Sequence, residues 1–191
     1  IAANVGDRFI LRDISARRTI GGGRVVDLRA PLRRRAAPER LAALRAMALS
    51  DPARALAELA GHAPVDLDDF AHDRAMAPAQ LDRAIADSAV AVIAGTRLAL
   101  APAALMALRD GVQAGLAGFH DENPDLQGMG RERLRLMLRP RLPREGFAGF
   151  IRAEAEAGRI TLDGAFVRLP GHIPQLTPTD EALLAQVLPR L

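Results

Sequence analysis

The stretch AVAVIAGTRLALAP (Ala89 to Pro102) returns in altered form as RITLDGAFVRLPGHIP (Arg159 to Pro174), and this repetition decides the reading of the chain. Each copy holds a short β-prone run, a turn containing Gly95 or Gly164, a second run and then a proline. That is the pattern of a small β-hairpin, in which glycine supplies the backbone angles of the turn. Ahead of each hairpin the spacing of apolar residues and the Pro and Gly breaks predict three helices. They fall at 51–61, 67–73 and 78–88 in the first copy, and at 102–119, 130–138 and 144–157 in the second. Three helices followed by a two-stranded wing is the winged-helix plan. The fold class is mainly α with small β wings.

Working outward, TPTDEALLAQVLPRL begins a third such unit, where Thr177 or Thr179 can cap a helix carrying Leu183, Leu184, Val187 and Leu188. In the other direction, PLRRRAAP is a proline-bounded basic linker, and PERLAALRAMALS then takes up helical spacing at Leu41, Leu44 and Met47. Before Pro31 the texture changes. RFILRD and RVVDL read as strands of a hairpin joined by ISARRTIGGG, an irregular glycine-bearing turn. Three consecutive glycines suggest a phosphate cradle, but a dinucleotide fingerprint needs GxGxxG leading into a helix, and Gly21, Gly22 and Gly23 lead into Arg24-Val25-Val26.

Composition limits the chemistry. With 191 residues, 49% of them apolar but only 3% aromatic, the cores must be built from Leu, Val, Ile and Ala, which suits small helical modules. The absence of cysteine excludes disulfides and thiolate metal ligands. No apolar run is long enough for a bilayer, and the start IAANVGDRF has neither methionine nor signal peptide, so the expected context is an interior-to-C-terminal piece of a longer cytoplasmic protein. The four histidines (His62, His72, His120 and His172) lack ligand spacing and are expected to be structural. Ser15, Ser50 and Ser88 lie in no nucleophile elbow, and no GxxxxGK[ST] loop is present.

The net charge of +3 is unevenly spread: residues 1–45 carry +7 and residues 46–191 carry −4. All 26 basic residues are arginine, whose planar fork suits bidentate phosphate contacts, although genome composition explains most of that bias. The third helix of each winged unit, APAQLDRAIAD and EGFAGFIRAEAEAG, is net acidic. A helix that enters a groove between phosphate strands should not be negative, so neither module is expected to read DNA in the usual way. RERLRLMLRPRLPR is the exception, with Arg131, Arg133, Arg135, Arg139, Arg141 and Arg144 against Glu132 alone. It is either a patch facing nucleic acid or the ribosome, or a solvated helix face with Leu134, Met137 and Leu138 turned inward.

GDRFILRDISARRTIGGGRVVD resembles the closing hairpin of the third β-barrel domain of elongation factor Tu-like GTPases. The tandem winged helices, with LAGFHDENPDLQGM and GAFVRLPGH, resemble the C-terminal arm of the bacterial selenocysteine-specific elongation factor family. The resemblance spans essentially the whole chain. One departure is Asp125 after Asn123-Pro124, where the family commonly carries leucine; Leu126 is expected to fill that place after a one-residue shift. The resemblance implies the end of domain III at 1–30, a linker and connecting helix at 31–50, winged helices at 51–101 and 102–174, and the start of a third at 175–191. It also implies that Arg17, Arg18, Thr19, Gly21, Gly22 and Gly23 lie against aminoacyl-tRNA. Arg29, Arg33, Arg34 and Arg35, with the 131–144 arginines, are further candidates for RNA or ribosome contact. The implied parent is a monomeric cytoplasmic GTPase using GTP and Mg. It delivers selenocysteinyl-tRNA to the ribosome at recoded UGA codons by binding an mRNA hairpin through a module beyond Leu191. This fragment would carry no cofactor, metal or catalytic residue and make no membrane contact, its winged helices serving as spacers. A winged-helix DNA-binding transcription regulator is the alternative.

Overall fold

A computed structural model describes residues 3–33 and 36–175, together with Ala182. The chain forms two compact units, Ile1–Leu105 and Met106–Leu191. The expected third winged unit at 175–191 lies outside the described residues apart from Gln175 and Ala182.

The first unit opens with β1 (Arg8–Arg12) and β2 (Thr19–Arg24), an antiparallel hairpin. Here the structure departs from the sequence reading. The three glycines are not the turn but lie inside β2, and Val25–Leu28 is not a strand. Gly21, Gly22 and Gly23 stand opposite Leu11, Ile10 and Phe9. The reason is close approach rather than a special backbone angle. A Cβ on Gly22 would meet the Phe9 carbonyl oxygen at 2.8 Å, and one on Gly23 would meet the Phe9 ring at the same distance. The turn is the loop between Asp13 and Arg18, with Ala16 in the left-handed region at φ 55°.

Helices α1 (Pro38–Met47), α2 (Pro52–His62), α3 (Leu67–Asp73) and α4 (Pro78–Ser88) follow. Proline at the first helical position starts α1, α2 and α4, where its missing N–H costs nothing. Asp51 and Asp66 cap α2 and α3 by accepting hydrogen bonds from backbone N–H groups. Between α2 and α3 runs β3 (Val65–Asp66), a strand too short for any sequence period to register. With β4 (Ala91–Val92) and β5 (Leu98–Leu100) it forms an antiparallel sheet in the order β3-β5-β4. Ala55, Leu56, Leu67, Phe70 and Leu81, with Ala99 from β5, make a small hydrophobic core.

The second unit repeats the plan with α5 (Pro102–Glu122), β6 (Met129–Gly130), α6 (Arg131–Met137), α7 (Arg144–Glu156), β7 (Thr161–Asp163) and β8 (Phe166–Arg168), the sheet order being β6-β8-β7. Leu108, Val112, Leu116 and Phe119 recur every three or four residues along α5 and are all buried. Each such side chain contributes roughly 1.5–3 kcal/mol. Leu134, Phe147, Phe150, Ile151 and Val167 are buried in the same unit.

Gly95 and Gly164 adopt φ of 69° and 55°, with open space where a Cβ would lie. A side chain there is opposed by backbone strain, not by collision. Gly95→Val and Gly164→Val should each lower the stability of their own unit by more than about 1 kcal/mol. Amide exchange resolved along the chain should show the loss confined to residues below 106 for the first variant and above 105 for the second.

Candidate nucleic-acid interface

At the hairpin the loop is built around one carboxylate. Asp13 Oδ1 accepts the backbone N–H groups of Arg17 (3.0 Å) and Arg18 (3.2 Å), while Oδ2 accepts the Ser15 hydroxyl at 2.9 Å. The Arg18 amide, the Ser15 hydroxyl and the Arg17 amide hold the Asp13 pKa below its ordinary value, against a smaller opposing effect of burial. The loop therefore fixes the Arg17 and Arg18 backbones without engaging their side chains. Thr19 follows as the first residue of β2, with Gly21 to Gly23 beyond it, all exposed.

Three further arginines belong to this surface and escaped the sequence reading. Arg8 faces Arg24 directly across the ladder, and Arg12 closes β1 opposite Thr19, past a register irregularity after Leu11. All three are exposed, and no carboxylate among the described residues lies within ion-pair distance of them or of Arg17 and Arg18. Like charges opposed across strands are unfavourable in isolation. The available signal was the placement of arginines at the ends of the FIL and TIGGG runs, which the mistaken strand boundary concealed.

The next basic cluster is divided. Arg29 is a clamp: its Nε and Nη2 donate to the Asp73 carboxylate at 3.0 and 3.1 Å, and its Nη2 lies 2.9 Å from Asp69. Arg40 pairs with the nearly buried Asp27. Val5 N–H also donates to the Asp73 carbonyl at 2.7 Å, so the hairpin segment is tied at both ends to α3. Arg33 is exposed, and Arg34 and Arg35 lie outside the described residues.

The 131–144 patch thins in the same way. Arg135 chelates Glu132 at 2.9 and 2.6 Å and donates to the Leu142 carbonyl, with its side chain largely buried. That hydrogen bond from Arg135, opposed by a weaker burial effect, keeps the Glu132 pKa below its usual value. Arg139 donates to the Leu136 and Leu138 carbonyls, and Arg133 sits over the Phe119 ring at 5.0 Å. Arg131, Arg141 and Arg144 remain turned to solvent, Arg144 with a long 3.7 Å approach to Glu132.

The FHDENP and LPGH motifs meet. His120 and His172 stack with ring centroids 3.6 Å apart, and His120 Nε2 accepts the Leu169 N–H at 3.2 Å. His172 Nε2 lies 2.8 Å from the Leu126 carbonyl oxygen. Leu126 itself is exposed and fills no core position, so its backbone rather than its side chain secures the turn. Accepting at Nε2 places the His120 proton on Nδ1, a buried atom with no partner. Burial, followed by the charges of His172 and Arg168, lowers the His120 pKa against a weaker pull from Asp121.

A two-stranded hairpin leading into two units of winged-helix plan, with exposed arginine concentrated on the hairpin, defines the class of protein. Residues 1–32 match the family model described as selenocysteine-specific elongation factor, beta-barrel domain. Residues 113–169 match that described as elongation factor SelB, winged helix. The chain is 33% identical over 184 residues to the selenocysteine-specific elongation factor of Escherichia coli (strain K12), covering 96% of this chain and 30% of that protein. Both matched regions are those of SelB-family proteins, and the chain spans about 30% of the length of that E. coli protein. These matches do not favour a DNA-binding transcription regulator.

The residues present do not fit a GTP and Mg site. The only glycine run lies inside a strand rather than ahead of a helix, and no group of three potential metal ligands occurs among the described residues. No described helix is long and apolar enough to cross a membrane.

Two predictions follow from this geometry. Gly22→Ala should disturb the hairpin, because the added Cβ meets backbone, whereas Gly21→Ala meets nothing within 4 Å and should leave it intact. Cross-strand amide protection at Phe9 and Ile10 reports the difference. The second concerns pH. A histidine whose folded pKa is depressed binds protons more readily when unfolded, so its contribution is whole above about pH 6.5 and is lost as pH falls toward the folded value. Glu154 is buried between Arg109 and Arg159; burial raises its pKa, but their hydrogen bonds outweigh this and lower it, so a further loss belongs below about pH 4.5. Exchange protection across the second unit should fall in these two stages, and His120→Asn should remove the first alone.

Proposed function

We propose that this chain is the part of a selenocysteine-specific elongation factor that runs from the end of the tRNA-binding barrel into the winged-helix arm. In this reading residues 1–30 close the barrel and 31–50 connect it to the arm. Residues 51–101 and 102–174 are two winged helices that set reach and orientation, and 175–191 begin a third. The whole factor is a monomeric cytoplasmic GTPase. It brings selenocysteinyl-tRNA to the ribosome at a recoded UGA by holding an mRNA hairpin with a module farther along the arm. GTP and Mg chemistry lies on the rest of that factor.

The observation that carries the reading is the hairpin loop. Arg17 and Arg18 are held by their backbones on Asp13, and their side chains have no carboxylate partner among the described residues. Thr19 and a strand without Cβ atoms, Gly21 to Gly23, lie beside them. An RNA backbone can approach such a strand closely, and adjacent guanidiniums neutralise phosphate without reading sequence. Arg8, Arg12 and Arg24 extend the positive surface along the hairpin. Arg33 and Arg141, with Arg34 and Arg35 outside the described residues, are secondary candidates. Arg29 and Arg135 serve as structural clamps.

The test is tRNA binding by the full-length factor. Arg17→Glu with Arg18→Glu should weaken aminoacyl-tRNA binding and reduce its salt slope by about one per lost phosphate contact. Gly21→Ala should weaken binding while the hairpin stays folded. Unchanged affinity and slope in both would mean that the loop is an ordinary solvated turn.

A further inference from the structure

The net charge of α7 is a poor guide to what it presents. Glu154 is buried and consumed by Arg109 and Arg159. Between α6 and α7 lies a cleft of about 330 Å³ lined by Arg131, Glu132, Arg135, Arg144 and Arg152 over Phe147, Ala148, Ile151 and Leu162. Glu145 and Glu156, near the two ends of α7, do not line it. Glu132 and Arg135 satisfy each other, which leaves Arg131 on one wall and Arg144 and Arg152 on the other. Arg144 is 81% exposed in its side chain and only approaches Glu132 at 3.7 Å, and Arg131 and Arg152 have no ion pair among the described residues. The corresponding helix of the first unit carries a single arginine, Arg83, 3.6 Å from Asp87.

We propose that this cleft holds the phosphodiester backbone of an RNA strand, which makes the second winged helix an RNA contact in its own right and not only a spacer. The floor residues Phe147 and Ile151 are 4% and 2% exposed, so the cleft offers no face on which a base could stack and no deep pocket for an apolar anchor. Its chemistry is three guanidinium forks on opposite walls, suited to phosphate oxygens and blind to sequence. The choice of RNA over other polyanions rests on the translation-factor reading. The contact itself does not require the hairpin to bind tRNA.

The experiment uses the whole chain in an Arg17→Glu, Arg18→Glu background, so that the hairpin reading cannot decide the result. Fluorescence anisotropy with a 20-nucleotide RNA strand and with a 20-base-pair RNA duplex, both of mixed sequence, is followed from 50 to 200 mM KCl. Adding Arg144→Glu and Arg152→Glu should reduce affinity for at least one probe by about tenfold or more at the lowest salt, and reduce the logarithmic salt slope by about one to two. Scrambling the probe sequence should change nothing. Arg144→Lys with Arg152→Lys, which keeps the charge and the fold, should retain the slope and separates loss of binding from loss of structure. Affinity and slope that are unchanged in the glutamate variant would overturn the proposal. So would polyglutamate of equal charge competing as well as RNA, which would make the cleft a site for acidic polypeptide.

Discussion

Asp73 is the group on which the arrangement of the first unit depends. Its carbonyl takes the Val5 N–H and its nearly buried carboxylate takes the Arg29 fork, so the entry and exit of the hairpin segment converge on the last residue of α3. Removing one partner of a buried ion pair is strongly destabilising, because the charge left behind has lost both water and its counter-ion. Arg29 is half exposed, which moderates that cost from its side but not from that of Asp73. A few residues away, Arg40 covers Asp27 in the same manner. The hairpin and the first winged helix are thus one compact unit despite the proline-bounded segment between them.

An arginine-only basic complement sorts into two populations once the fold is known. Arg29, Arg40, Arg109, Arg135 and Arg159 neutralise carboxylates, and Arg74 caps α1 by donating to the Met47 and Leu49 carbonyls. Arg8, Arg12, Arg17, Arg18, Arg24, Arg131 and Arg152 have no carboxylate within ion-pair distance among the described residues. Net charge counts both populations alike, whereas a phosphate meets only the second. Surface ion pairs contribute little stability on average. Their consequence here is selective, because they decide which cations remain for a ligand.

The helices and the second and third strands of each wing were legible because their signals are local: Pro at the first turn, apolar residues at helical spacing, and glycine where φ is positive. β3 and β6 were not, since two residues carry no period and neither lies in a hairpin with its partner, β5 or β8, which comes some thirty residues later in the chain. The glycine run was misread for a related reason. Glycine marks positive φ and close approach equally, and only the partner strand, with the Phe9 carbonyl where a Gly22 Cβ would be, distinguishes them. The charge that α7 presents was only partly legible, because a sum over a helix counts the buried Glu154 with the exposed groups. The histidines were anticipated as structural, but the stacking of two residues 52 positions apart in sequence is a tertiary fact.

The Asp13 loop has a consequence for speed and selectivity of association. Ordering a backbone residue costs roughly 1–2 kcal/mol, and a loop that must close around its ligand bears that cost at each encounter. Here Asp13 has already closed the loop in the free chain, fixing both arginine Cα positions and leaving only side-chain rotamers to be settled. In the proposed reading the hairpin is a preorganised fork that a phosphate meets in its working shape, with affinity limited by how well phosphates match the spacing of two adjacent guanidiniums. Losing Asp13 would leave every positive charge in place and still blunt the surface, by returning the loop to a population of shapes of which few present both arginines together.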